Sequence, residues 1–284
     1  MRMEERYRSG IDTSVKPDTI AYSTVLLCWA NSRLRNAATN AERLLYRMEK
    51  LYAEGHFDVR PNEKCYSAVI NCWARSRSPD AAQRAESVLQ RMEYMYEAGI
   101  SDAIPNTICC NAVLNCYAKS KLPDKAQRAL YLIQRMNEQS QSGIQEVKAD
   151  IISYNCLLNA CATTEGDPDT RREALEIAAN TFKKLYQSEA CTLTSHTYAS
   201  FLKACGNLIP MGDERMNMMK TAFRLCCDEG QVDRPVLQEL QRALPDELCN
   251  QLVRGYVING KPDVEAIPFG WKRNVEASKV PDPQ

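Results

Sequence analysis

The chain repeats itself every 44 residues, and this limits what it can fold into more than any other feature. Tyr22, Tyr66, Cys110, Tyr154 and Tyr198 follow one another at that spacing. Their neighbours keep step. Val25, Val69, Val113, Leu157 and Phe201 form one column, and Leu26, Ile70, Leu114, Leu158 and Leu202 the next. Ala30, Ala74, Ala118 and Ala162 form another, which ends in Gly206. Whole phrases recur, as in VLLCWANSR, VINCWARSR and VLNCYAKSK. A fixed period of this length marks a stacked architecture, in which one unit cannot bury its apolar face without its neighbours.

Within each unit the apolar spacing predicts two helices. Tyr22, Val25, Leu26 and Trp29 fall at i, i+3, i+4 and i+7, one stripe of an amphipathic helix from about Thr19 to Asn31. Ala41, Leu44, Leu45, Met48 and Leu51 give a second, from about Ala37 to Glu54. Asp18, Asn62, Asn106 and Asp150 stand where N-caps belong, and Gly55, Gly99 and Gly143 where helices end. The units read as 17–60, 61–104, 105–149 and 150–194. A degenerate fifth, 195–231, keeps Tyr198, Phe201, Leu202 and Cys205. Residues 232–284 read as short capping helices and a Pro-containing tail. The phrase Arg47-Met48-Glu49, repeated at Arg91-Met92-Glu93, also opens the chain as Arg2-Met3-Glu4. Residues 1–16 therefore read as the second half of a unit whose first half is missing. The expected fold class is all-α, an α-solenoid of helix-turn-helix repeats.

Composition then removes several function classes. Lys plus Arg number 36 and Asp plus Glu 36, so bulk charge cannot hold a nucleic acid, although a local basic stripe can. The two histidines, His56 and His196, leave little material for acid–base catalysis. The 13 cysteines contain no Cys-x-x-Cys pair and are expected as free thiols, most of them packing groups, with no metal bound. Neither a Gly-rich phosphate loop nor a nucleophile motif appears, so no catalysis, cofactor or small-molecule substrate is expected. No apolar run is long enough to span a membrane.

Period and phrasing together resemble the pentatricopeptide repeat family. The residues that carry this are Ile151-Ile152-Ser153-Tyr154-Asn155-Cys156-Leu157-Leu158-Asn159-Ala160-Cys161, similar to the family's opening phrase V-x-T/S-Y-N-x-L-I-x-A-C. These units are longer than the family's usual ones, with the excess in the second helix and the connector after it. The resemblance implies a right-handed superhelix that binds single-stranded RNA, one base to a repeat, each base read by two or three side chains. It implies a mitochondrial or plastid setting, and RNA-processing proteins as possible further partners.

The family's reading positions are the residue after the Tyr column and the last of the unit. They fall on Ser23 with Asn62, Ser67 with Asn106, Asn111 with Asp150, and Asn155 with Thr194. The resemblance implies adenine for the Ser–Asn pairs, uracil for Asn–Asp and a pyrimidine for Asn–Thr, a core of 5′-A-A-U-pyrimidine. Ala199 leaves the fifth unit without a reader. Ile20, Ile108 and Ile152 are expected to flank bases, whereas Lys64 and His196 depart from that pattern. Arg75 and Lys119 are candidate phosphate contacts. Each residue also has a plainer reading: helix caps for the Asn and Asp residues, helix C-terminal charges for Arg75 and Lys119. The competing function is a protein-binding α-solenoid scaffold, favoured by zero net charge.

Overall fold

A computed structural model describes residues 16–32, 34–188 and 191–275, together with Tyr7 and Ser9. Most of the partial unit read at 1–16 and the end of the tail, 276–284, lie outside the described residues. The chain is all-α and of the helical-repeat solenoid class, and it divides into two compact units. One comprises residues up to 116 with 136–148; the other comprises 117–135 with 149 onward. Helices α5 (Thr107–Lys119) and α6 (Lys125–Gln141) contribute to both.

The first compact unit is built from α1 (Thr19–Asn31), α2 (Ala37–Ala53), α3 (Glu63–Arg75) and α4 (Ala81–Glu97). The first helices meet each other, α1 against α3, and the second helices α2 and α4 cover them, whereas Val25 of the expected α1 stripe is exposed. Leu26, Leu45, Met48, Tyr66, Val69 and Ile70 are fully enclosed between them. The helices start where the caps predict. Asp18 Oδ1 accepts from the Ala21 N–H at 2.8 Å, and Asn62 Oδ1 from that of Cys65 at 3.2 Å.

The long connectors have a repeated structure. After each second helix a glycine takes a left-handed φ, +93° at Gly55 and Gly99 and +108° at Gly143. A 3-10 turn follows, at Phe57–Val59, Ser101–Ala103 and Gln145–Val147, and buries Val59, Ala103 or Val147. The turn is tied to the start of its own unit. Thr19 Oγ1 donates to the Arg60 carbonyl at 2.8 Å, and Thr107 Oγ1 to that of Lys148 at 2.7 Å.

A polar network joins α2, α3 and α4. Arg91 pairs with Glu49 at 2.5 Å and Glu42 at 3.5 Å. Tyr66 Oη donates to Glu49 at 2.9 Å and Trp73 Nε1 to Glu42 at 3.0 Å. Removing one member would leave a half-buried carboxylate or guanidinium without its partner, which costs more than the pair itself contributes.

The second compact unit contains α7 (Ile151–Ala162), α8 (Pro168–Gln187), α9 (Ser195–Leu208), α10 (Asp213–Asp228), α11 (Arg234–Ala243) and α12 (Asp246–Leu252). Here α7 packs on α9 and α9 on α11, so α11 takes the place a further first helix would occupy. The approach is close. A Cβ on Gly206 would lie 2.6 Å from that of Ala243, which explains why the alanine column ends in glycine.

The stretch from 257 to 275, part of it read from sequence as tail, is folded back. Strands β1 (Val257–Ile258) and β2 (Lys261–Pro262) pair through Asn259 and Gly260, both at positive φ, the two-residue turn that suits a hairpin. Helix α13 (Phe269–Lys272) brings Trp271 edge-on to Phe223 and Tyr256 at 5.8 and 5.6 Å. The Trp271 carbonyl accepts from the Val232 N–H at 2.8 Å. The chain end thus closes the apolar face that α10 would otherwise expose.

Candidate nucleic-acid interface

The first turns of α1, α5 and α7 expose large aliphatic side chains. Ile20 is 72 % exposed, Ile108 67 % and Ile152 56 %. Single exposed apolar residues are ordinary. Recurrence at one position of the repeat is not, and Lys64 and His196, in the same column, are exposed too. Three residues on from each isoleucine, hence beside it on the helix face, stands a polar side chain: Ser23, Asn111 or Asn155.

At the second-unit junction the structure gathers the two expected readers into one cluster. Ser67 Oγ lies 3.0 Å from Cys109 Sγ. Asn106 Oδ1 accepts from the Cys109 N–H at 2.9 Å, and Asn106 Nδ2 donates to Glu63 Oε1 at 2.6 Å. The Asn106 amide is therefore oriented: its oxygen caps α5 and its nitrogen faces a carboxylate. Glu63 and Cys109 were not singled out from sequence. The available signal was their place one residue after Asn62 and three after Asn106, within a first turn.

The other readers are arranged differently. Ser23 Oγ donates to the Ile20 carbonyl at 3.0 Å, and Asn62 caps α3. Asp150 forms a capping box with Ser153, its Oδ1 accepting from the Ser153 N–H at 2.8 Å. The Thr194 N–H donates to Thr197 Oγ1 at 3.3 Å. Asn155 Oδ1 is enclosed without a hydrogen-bond partner, a state that costs about 1–3 kcal/mol. Asn111 is half-buried on α5 and already engaged. The N-cap role is thus real for Asn62, Asn106 and Asp150, and any base contact is made by the atoms that capping leaves over.

Arg75 occupies a column whose members share a structural task. Its guanidinium donates to the Ala30 carbonyl at 2.8 Å. Thr163 Oγ1 does the same to Ala118 at 2.8 Å, and Asn207 Nδ2 to Ala162 at 2.7 Å. Each donor satisfies a carbonyl at the end of the preceding first helix, one of the groups a helix cannot satisfy internally. Lys119 stands in this column and is also engaged.

The cysteines of the first helices are buried packing groups, apart from Cys28, which is exposed, and Cys156, which is half-buried. Burial pushes the Cys161 and Cys205 thiols up to about 12, so they stay protonated and unreactive. Trp73 is 5 % exposed with its N–H committed to Glu42, which rules it out as a stacking platform. Among the described residues no helix is long and apolar enough to cross a membrane.

Residues 108–138, most of α5 and α6, match the family model described as PPR repeat. The match supports the pentatricopeptide repeat family, whose members are helical-repeat RNA binders and in general not catalysts. No curated protein and no solved structure matches the chain.

Proposed function

We propose that the chain binds single-stranded RNA, one base to a repeat, and acts in organellar RNA metabolism by holding a short segment against nucleases or structure. The observation that carries this is the recurrence of an exposed isoleucine beside a polar reader on the first turn of α1, α5 and α7. Such a pair offers a base one apolar wall and one hydrogen-bonding edge. Ser23 with Asn62 and Ser67 with Asn106 read adenines, Asn155 with Thr194 reads a pyrimidine, and the uracil between them follows from the repeat register at Asn111 and Asp150. Arg75 reaches phosphate with the N–H groups that the Ala30 carbonyl leaves over, and Lys119 acts in the same column.

The second reading is a protein-binding scaffold. Zero net charge and the exposed tyrosines Tyr46, Tyr94 and Tyr131 on second helices favour it. Crosslinking in cells followed by sequencing of bound RNA separates the two. The RNA reading expects transcripts enriched in A-A-U-pyrimidine. Recovery of protein partners with no enriched RNA would put the scaffold in its place.

A further inference from the structure

The end of the chain builds a cavity that the base-reading scheme does not use. It has a volume of about 350 Å³ and lies between α10, the end of α12 and α13, which carries Trp271. Lys220 and Arg224, one helical turn apart on α10, line it together with Arg254 from the end of α12. The half-buried Trp271 adds ring surface, with Phe223 enclosed behind it, and the Arg254 guanidinium carbon sits 5.9 Å from the Trp271 ring centre.

Two features set this cavity apart from ordinary surface. Three cations share it with one carboxylate, Asp228, and none of the three is in an ion pair among the described residues. Three cations against one carboxylate repel one another, and an anion relieves that repulsion. The backbone at Arg254 is the second feature. Its φ is +54°, and it closes α12 in a turn where Gly255 N–H reaches the Asn250 carbonyl at 3.0 Å. That left-handed position ordinarily belongs to glycine. An arginine kept there, at a backbone cost, points to a task for its side chain.

We propose that this cavity binds a nucleoside monophosphate group, either free or as the phosphorylated end of an RNA strand. The phosphate is held among Lys220, Arg224 and Arg254, which supply charge-assisted hydrogen bonds. The base lies against the Trp271 ring. Asp228 accepts from a ribose hydroxyl. This site is independent of the base-reading columns and stands if they fail.

The test is calorimetric titration of the whole chain with AMP, adenosine, inorganic phosphate, and one short oligonucleotide in 5′-phosphorylated and 5′-hydroxyl forms. Saturable binding of AMP, with adenosine and inorganic phosphate each weaker by about tenfold or more, is the expected result. Preference for the 5′-phosphorylated oligonucleotide over AMP identifies the strand end as the source; the reverse identifies the free nucleotide. Arg224→Ala and Arg254→Gly should each weaken AMP binding by about tenfold or more. Arg254→Gly also relieves the left-handed strain, so its melting temperature should hold or rise while binding falls. Equal binding of inorganic phosphate and AMP overturns the nucleotide assignment. Absence of saturable binding, or binding unchanged in both variants, overturns the site.

Discussion

Replacing Gly206 by alanine should loosen the second compact unit, although alanine is ordinarily the better helix residue by about 1 kcal/mol. The new Cβ would lie 2.6 Å from Ala243 Cβ and 3.6 Å from Ala243 Cα. Carbon atoms rest about 3.5–4.0 Å apart, so α9 and α11 must part by about 1 Å locally. Overpacking of this kind costs about 1–3 kcal/mol, which leaves a net loss of about 1 kcal/mol after the propensity gain. Hydrogen exchange of the α9 and α11 amides reads that loss as roughly fivefold faster opening. The double variant with Ala243→Gly moves the methyl to the other helix, restores the spacing and should recover most of the protection. Slower exchange in the single variant would mean that α9 and α11 do not meet at Gly206. The description of α11 as a stand-in for a further first helix would then be wrong.

Two more predictions follow from the packing and from the reader cluster. Alkaline pH should destabilise the fold, because burial raises the Cys161, Cys205 and Cys227 thiols from the ordinary 9.0 to about 12. The unfolded chain sheds these protons first, so this stability is complete below about pH 9 and is lost as pH rises toward 12. Lys125, whose buried ammonium is held below its usual value by desolvation, works the opposite way but is one group against several. A melting temperature flat from about pH 8 to 11 would contradict this balance. Glu63→Gln should weaken base discrimination by about two- to tenfold at the second unit, where Glu63 orients Asn106, and leave the first unit as it was. Competition binding at each position measures both, and an equal loss at the two positions would refute the positioning role.

The first helices were legible because two signals agreed. Tyr22, Val25, Leu26 and Trp29 set the period, and Asp18 set the start. Gly55, Gly99 and Gly143 likewise announced the ends of second helices through their left-handed backbone. The 3-10 turns were not legible. Val59, Ala103 and Val147 are single buried residues with no period of their own, so they read as connector. The chain end was missed for a related reason: Trp271 and Val232 meet across long sequence separation, and two-residue strands leave no alternation to detect. At the candidate interface the columns were visible but the competition for their atoms was not. Nothing in the phrase VINCWARSR says that Arg75 reaches back to Ala30, or that Ser67 meets a thiol from the next unit. Those contacts come from the stacking of units, which a single unit's sequence does not encode.

The central claim is that polar columns on the first helices read bases, and the first unit tests it most directly. Ser23→Asn with Asn62→Asp converts its pair to the one expected to read uracil. Aspartate caps helices about as well as asparagine, as Asp18 and Asp150 do here, so the fold should be retained. Competition binding with four oligonucleotides that differ only at the first base is the measurement. The account predicts adenine preference in the unmodified chain and uracil preference in the variant, a swing of about tenfold or more, with the other positions unchanged. The same preference in both proteins would show that Ser23 and Asn62 are helix residues and no more, and the scaffold reading would then take first place.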